Sequence, residues 1–378
     1  MTAPQPAVCA DDLAKTFRVP ERDAGVGAAV RSLFHRRTRD VVAVKGVTFR
    51  LEPGEIVGFL GPNGAGKTTT LKMLSGLLHP TGGQAAVLGH VPWKREKALL
   101  RRITLVMGNR NQMQWDLPAL DSFALNASIY RLPPAEFTAT RDELIALMDV
   151  GDLVTKPVRN LSLGERMKME FIAALLHRPQ VLFLDEPTIG LDVTAQRTLR
   201  QFVAEYNRRT GATVLLTSHY MADVQALCKR VLVIHHGSLL YDGELKGLGE
   251  QFAAYKTLGI TLEGDVGLGA GAGGGAVAGA VGGPGVDWAG YGEVVAVDGP
   301  KVTIQVPRAA ASRIASRVLA ELPVADLTIE DPPIDEVIAR VFAAGADGAA
   351  AADAHVDDQG VADAPADGGA PVDGARSA

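Results

Sequence analysis

Short, nearly continuous apolar runs recur through the first two thirds of the chain: EIVGFL (55–60), ITLVM (103–107), VLFLD (181–185), TVLLT (213–217) and VLVIH (231–235). Helix-period stretches separate them. Runs of that length and spacing predict strands buried on both faces of a largely parallel sheet, hence an α/β domain over about 7–250. Beyond it the pattern changes. EVVAV (293–297), a turn at Asp298-Gly299, KVTIQV (301–306), a helix over 309–321, a strand LTI (327–329) and a helix IDEVIARVF (334–342) predict a small α+β unit over 286–343. KTLGITLE (256–263) is a candidate further strand for it.

Two segments lack the apolar surface to pack. Residues 264–285 contain 11 Gly among 22 positions and are expected to be a linker or loop, and 344–378 form an acidic Ala/Gly/Asp tail. That tail holds seven Asp against one Arg, so the formal charge of −5 leaves 36 acids and 37 bases elsewhere. A near-neutral folded part does not signal a basic nucleic-acid-binding domain, and no nucleic-acid partner is expected. No stretch of about 18 uncharged apolar residues occurs, and Asp11, Asp12 and Glu21 interrupt the place of a signal peptide. The chain is expected neither to span a membrane nor to enter the secretory route. Cys9 and Cys228 have no metal-ligand spacing, which fits a reducing cytoplasm.

EIVGFL leads into Gly61-Pro62-Asn63-Gly64-Ala65-Gly66-Lys67-Thr68-Thr69 and then the helical pattern TLKMLSGLL. This is G-x-x-x-x-G-K-[ST] between a strand and a helix. Glycines let successive N–H groups face one ligand, the helix start adds its positive end, Lys67 reaches β/γ-phosphates and Thr68 holds Mg²⁺. The expected ligand is a nucleoside triphosphate; the bland alternative is a Gly-rich turn that binds nothing. VLFLDEP ends a strand with two carboxylates on opposite faces. Asp185 is a candidate Mg²⁺ holder through water, and Glu186 a candidate general base for the attacking water. Their alternative is ordinary helix capping. His219 follows TVLLT at the edge where open α/β sheets bind ligands; alone it reads as a structural histidine, and in company with the acid pair as a candidate to face the same γ-phosphate.

With LSLGE at 161–165, DEP at 185–187, TIGLD at 188–192 and SH at 218–219 following that loop in order, the chain resembles the nucleotide-binding subunit of ABC transporters over about 7–250. The resemblance implies a P-loop NTPase ABC ATPase domain with a helical subdomain over about 108–178, with ATP and Mg²⁺ as ligands. It implies ATP sandwiched between two such domains, the loop of one facing Ser162, Gly164 and Glu165 of the other, and Asp192 crossing that interface. Phe17 in AKTF matches the aromatic that stacks on adenine, with a plain core position as its alternative. Asn109 falls where the family has a Mg²⁺- and water-contacting Gln, with Gln112 as a substitute. Where the family has L-S-G-G-Q, this chain carries Leu163 and Glu165. Ser162-x-x-Glu165 is also a capping box, which turns the carboxylate away from the ligand.

Residues 18–40 insert Arg18, Arg22, Arg31, Arg36, Arg37 and Arg39, read as a solvated basic loop or a contact for lipid head groups or a permease. NRNQMQWDLPALDSFALNASIYRLP (109–133) and DPPIDEVI (331–338) resemble exporter-class ATPases serving drug, viologen, lipid or polysaccharide permeases, with Trp115 a candidate docking residue or a core one. The leading expectation is an ATP-hydrolysing motor, homodimeric or heterodimeric, peripheral on the cytoplasmic face and driving export through a separate permease. The competing class is a soluble, non-transport ABC ATPase acting on ribosomes or nucleic acid. The chain shows neither a second phosphate loop nor the heptad run typical of that class.

Overall fold

The structure is a computed structural model and describes residues 5–20, 38–108, 112–252, 255–263, 286, 288–332, 336–338 and 341–342. In chain order the main elements are β1 (Val8–Pro20), β2 (Thr38–Leu51), β3 (Ile56–Leu60), α1 (Lys67–Leu74), β4 (Gly82–Val87), β5 (Ile103–Met107), α2 (Ala119–Tyr130) and α3 (Pro134–Met148). Then come α4 (Leu163–Leu175), β6 (Val181–Asp185), α5 (Val193–Thr210), β7 (Thr213–Thr217), α6 (Met221–Leu227), β8 (Arg230–His235), β9 (Ser238–Glu244) and α7 (Leu245–Phe252). The C-terminal part holds β10 (Tyr255–Leu262), β11 (Glu293–Asp298), β12 (Lys301–Pro307), α8 (Ala311–Glu321) and β13 (Val324–Glu330).

The five apolar runs are strands of one six-stranded sheet in the order β5-β6-β7-β3-β8-β9. All neighbours are parallel except β8 and β9. Their near-continuous apolar character has a direct cause: alternate residues feed two different cores. Leu182, Leu184, Val214, Leu216, Val231 and Val233 join the core on the helical side. Val181, Phe183, Leu215, Leu232 and Ile234 join a second core beneath a separate antiparallel sheet of order β2-β1-β4. That second sheet is not legible as a buried run, because each of its strands shows one face to solvent.

The arms of the basic insertion are strands rather than loop. Pairing continues through Phe17↔Val41 and Val19↔Arg39 to Pro20↔Thr38, and Arg18 Nε lies 3.6 Å from Asp40 Oδ1. Arg22, Arg31, Arg36 and Arg37 lie outside the described residues, as do Asn109, the Gly-rich segment 264–285 and the acidic tail.

The C-terminal sheet has the order β11-β12-β10-β13, antiparallel throughout, so 256–263 does supply a strand across the Gly-rich segment. α8 covers one face around Leu258, Ile260, Ile304 and Val318. The helical turns within 336–342 behave differently from the sequence reading. Val337, Ile338 and Val341 are buried in the core of the large α/β part, not in that of the small sheet, and the Phe342 ring stacks on His235 at 5.7 Å.

Candidate functional site

The carboxyl ends of β3, β7 and β6 are adjacent, so the loops that follow them meet. After β3 the chain turns through the phosphate loop into α1. Gly66 caps that helix at φ 107°, where any side chain is strained, and an added Cβ would stand 2.6 Å from the Ala43 carbonyl oxygen. The first-turn N–H groups of α1 have no partner inside the helix and face outward. Lys67 is 5% exposed, and its ammonium donates to the Gly61 and Pro62 carbonyls at 2.6 and 3.1 Å. Burial pulls its pKa down, opposed by the charges of Glu186 and Asp185. A buried cation resting on loop carbonyls, beside outward N–H groups and an open space at Gly64, is a cradle suited to an anion.

Asp185 ends β6. Its carboxylate accepts from Thr68 Oγ1 at 2.8 Å and from Thr217 Oγ1, at the end of β7, at 2.8 Å. A hydroxyl and a carboxylate side by side are hard oxygen donors of the kind Mg²⁺ takes, so these residues fit that ion. Glu186 N donates to Thr217 Oγ1 at 3.0 Å, and Glu186 itself sits at φ 51°. A non-glycine residue in that region carries strain of about 1 kcal/mol or more, held by its surroundings and concentrated at functional positions. The strain is accompanied by a specific contact: Glu186 Oε1 lies 2.7 Å from His219 Nε2. Acid and imidazole, 33 positions apart in sequence, are thus brought together at neighbouring strand ends.

Ser162 caps α4, with Ser162 N donating to Glu165 Oε2 at 2.8 Å and Glu165 N to Ser162 Oγ at 3.3 Å. Both halves of the capping box are present, and the Ser162 N–H holds the Glu165 carboxyl below the usual carboxylate range. Gly164 packs where a Cβ would come within 2.9 Å of Ala195 Cβ, bringing the start of α4 against the start of α5. Asp192 caps α5 through Ala195 N at 2.9 Å. Among the described residues, no hydrogen bond joins Ser162, Gly164, Glu165 or Asp192 to the phosphate loop of the same chain. Phe17 is 36% exposed on β1 with Lys15 Nζ 5.2 Å from its ring centre, so the core alternative for it does not hold.

Gln112 is not brought to the acid pair. Its backbone N–H and that of Met113 are captured by Glu170 Oε1 at 2.8 and 3.3 Å, and its carboxamide turns to the Leu105 carbonyl at 3.2 Å. Glu170, buried at 4% exposure with its pKa raised by desolvation, was invisible as an anchor because it sits in an ordinary helical pattern. Thr217 was missed too, although a Thr closing an apolar run was a usable signal.

A strand–loop–helix anion cradle with an acid pair and a histidine on adjacent parallel strands defines a P-loop ATPase. The ABC transporter family model matches residues 44–189, and an EvrA-like ABC transporter C-terminal domain matches 280–330. Over 217 residues the chain is 36% identical to the ABC transporter ATP-binding protein NatA of Bacillus subtilis, covering 57% of this chain and 88% of NatA. It is 34% identical over 215 residues to the Nod factor export ATP-binding protein I of Burkholderia thailandensis, covering 57% and 70%. The structure of an ATP-binding subunit of an ABC transporter matches with a TM-score of 0.53 at 23% identity, over 65% of this chain and 93% of that one, which speaks for the fold alone. The chain belongs to the ABC transporter ATP-binding proteins and is an ABC ATPase.

Proposed function

We propose that this ATPase drives export through a separate membrane permease, as one of two ATP-binding subunits that close on ATP at the cytoplasmic face. The observation that carries the chemistry is the Glu186–His219 contact at 2.7 Å, one strand-end from the Thr68–Asp185 pair. In this reading Lys67 and the loop N–H groups hold the β/γ-phosphates, while Thr68 and Asp185 hold Mg²⁺, whose charge offsets that of the phosphates. Glu186 accepts a proton from the attacking water as its oxygen bonds to the γ-phosphorus and the bond to the ADP oxygen breaks. His219 keeps the Glu186 carboxylate oriented. Ser162, Gly164 and Asp192 would meet the partner's nucleotide, a role consistent with their lacking bonds to their own phosphate loop. Phe17 is free to stack on the base.

Export is supported by relatives named for Nod factor export, bacitracin transport, and linearmycin and daunorubicin resistance. A separate permease fits the absence, among the described residues, of any helix long and apolar enough to cross a membrane. We place its docking at a groove of about 480 Å³ lined by Leu77, Leu100, Ile129, Lys97, Arg101 and Arg131, with Gln112 at its wall. Leu77 and Ile129 are 54% and 63% exposed. The deciding experiment is Glu186→Gln, which keeps shape but cannot take the proton: ATP binding is expected to persist while steady-state turnover stops and an ATP-bound dimer accumulates. Near-normal turnover would refute the assignment.

A further inference from the structure

Asp223 lies in the first turn of α6, where a carboxylate is commonplace, but its burial and its partners are not. It is 1% exposed. Its Oδ2 accepts from Thr188 Oγ1 at 2.5 Å and from Ser218 Oγ at 2.9 Å, and its Oδ1 accepts from Arg200 at 2.7 Å. Thr188 is two residues beyond Glu186, Ser218 immediately precedes His219, and Arg200 belongs to α5, the helix capped by Asp192. A single buried carboxylate therefore ties together three segments that carry site residues.

The strand ends β6 and β7 are pinned by Thr217, through Asp185 and Glu186 N. Apart from the Glu186–His219 contact itself, Asp223 is the one group among the described residues that hydrogen-bonds both loops past the strands. Its bonds are charge-assisted, roughly twice as strong as neutral ones, and Arg200, only 16% exposed, balances the buried charge.

We propose that Asp223 is a positioning residue for ATP hydrolysis, holding Thr188 and Ser218 so that the Glu186 carboxylate and the His219 imidazole stay within hydrogen-bond reach. This rests on the assignment of Glu186 and His219 to the hydrolytic step. Asp223 needs no contact with nucleotide to do so, and its loss acts on turnover rather than on binding.

The test is a double-mutant cycle on the full chain, with kcat and KM for ATP and melting temperature measured on Asp223→Asn, His219→Ala and the double variant. Asp223→Asn is expected to lower kcat at least about tenfold, within the range that small misplacements produce, with KM for ATP within about twofold. In the His219→Ala background the same change is expected to cost no more than about twofold, because the Glu186–His219 contact it maintains is gone. Thr188→Val leaves the Asp223–Arg200 pair intact and repeats the cycle without an unbalanced buried charge, so it decides the question if Asp223→Asn cannot be purified. Losses that multiply across the cycle overturn the positioning role. So does a lowered melting temperature with kcat unchanged. Wild-type kcat in His219→Ala alone overturns the underlying assignment of His219 instead.

Discussion

Replacing Glu165 separates a helix cap from a charge near ATP. In the structure its carboxylate oxygen accepts from Ser162 N at 2.8 Å, while its own N–H is satisfied by Ser162 Oγ at 3.3 Å. Glu165→Ala removes one of the two reciprocal bonds, a loss of about 1 kcal/mol for a cap of this kind. In an α/β part of this size that corresponds to a fall of roughly 2–4 °C in melting temperature. Glu165→Gln keeps an acceptor at the same place and gives up only the charge near the helix start, worth about 0.3–1 kcal/mol at an exposed site. The expected order is wild type, then Gln, then Ala. The Glu165 charge also carries a pH signature. The folded carboxyl titrates below its ordinary value because Ser162 N–H favours the charged form, so its stabilisation is present above the ordinary value and is lost as pH falls through the lowered one. The Gln variant has no such loss. Calorimetry at two pH values, with ATPase on the same samples, decides it. An unchanged melting temperature in Ala refutes the cap, and a several-fold rise in turnover in Gln shows that the carboxylate repels the partner's ATP.

Lys67→Ala removes the buried ammonium from the anion cradle, and nucleotide affinity measured by fluorescent-analogue titration is expected to fall by about tenfold or more with the fold retained. His177 stacks on Tyr130 at 3.9 Å, donates its Nε2–H to the Ile103 carbonyl at 3.2 Å, and burial pushes its pKa down to about 4. The unfolded chain takes up the proton first, so stability is full above about pH 6.5 and falls towards pH 4 by roughly 3 kcal/mol at most; His177→Phe should flatten that slope in melting curves. Trp115 is 48% exposed with Arg166 5.5 Å from its ring centre, so Trp115→Ala is expected to leave melting temperature and ATPase nearly unchanged while weakening permease pull-down; the reverse pattern would place the ring in a core.

The parallel strands and the phosphate loop were legible because each is local: five apolar residues, or nine residues around a turn. The Ser162–Glu165 box was legible for the same reason, its two halves being three positions apart. What escaped was held by distant partners. Glu170 fixes Gln112 from 58 positions away, and no pattern around either residue announces it. The β2-β1-β4 sheet escaped because half its positions are solvated, and the arms of the insertion because strand pairing, not composition, orders them. The helical residues 336–338 and 341–342 were expected with the small sheet, since sequence proximity suggested it. Their apolar residues are instead buried with Val231 and Val233.

That last packing bears on how the two parts of the molecule communicate. Phe342 stacks on His235 at the end of β8, and two residues on, Gly237 N donates to Ala65 O of the phosphate loop at 3.1 Å while its carbonyl accepts from Lys45 N at 2.8 Å. The C-terminal return thus stands two contacts from the nucleotide cradle. From that loop the acid pair is also close: Thr68 Oγ1, one residue after Lys67, donates to Asp185 at 2.8 Å, and Asp185 directly precedes Glu186. The C-terminal turns are therefore joined by contacts to the phosphate loop, and through Thr68 to the end of the strand that carries the acid pair.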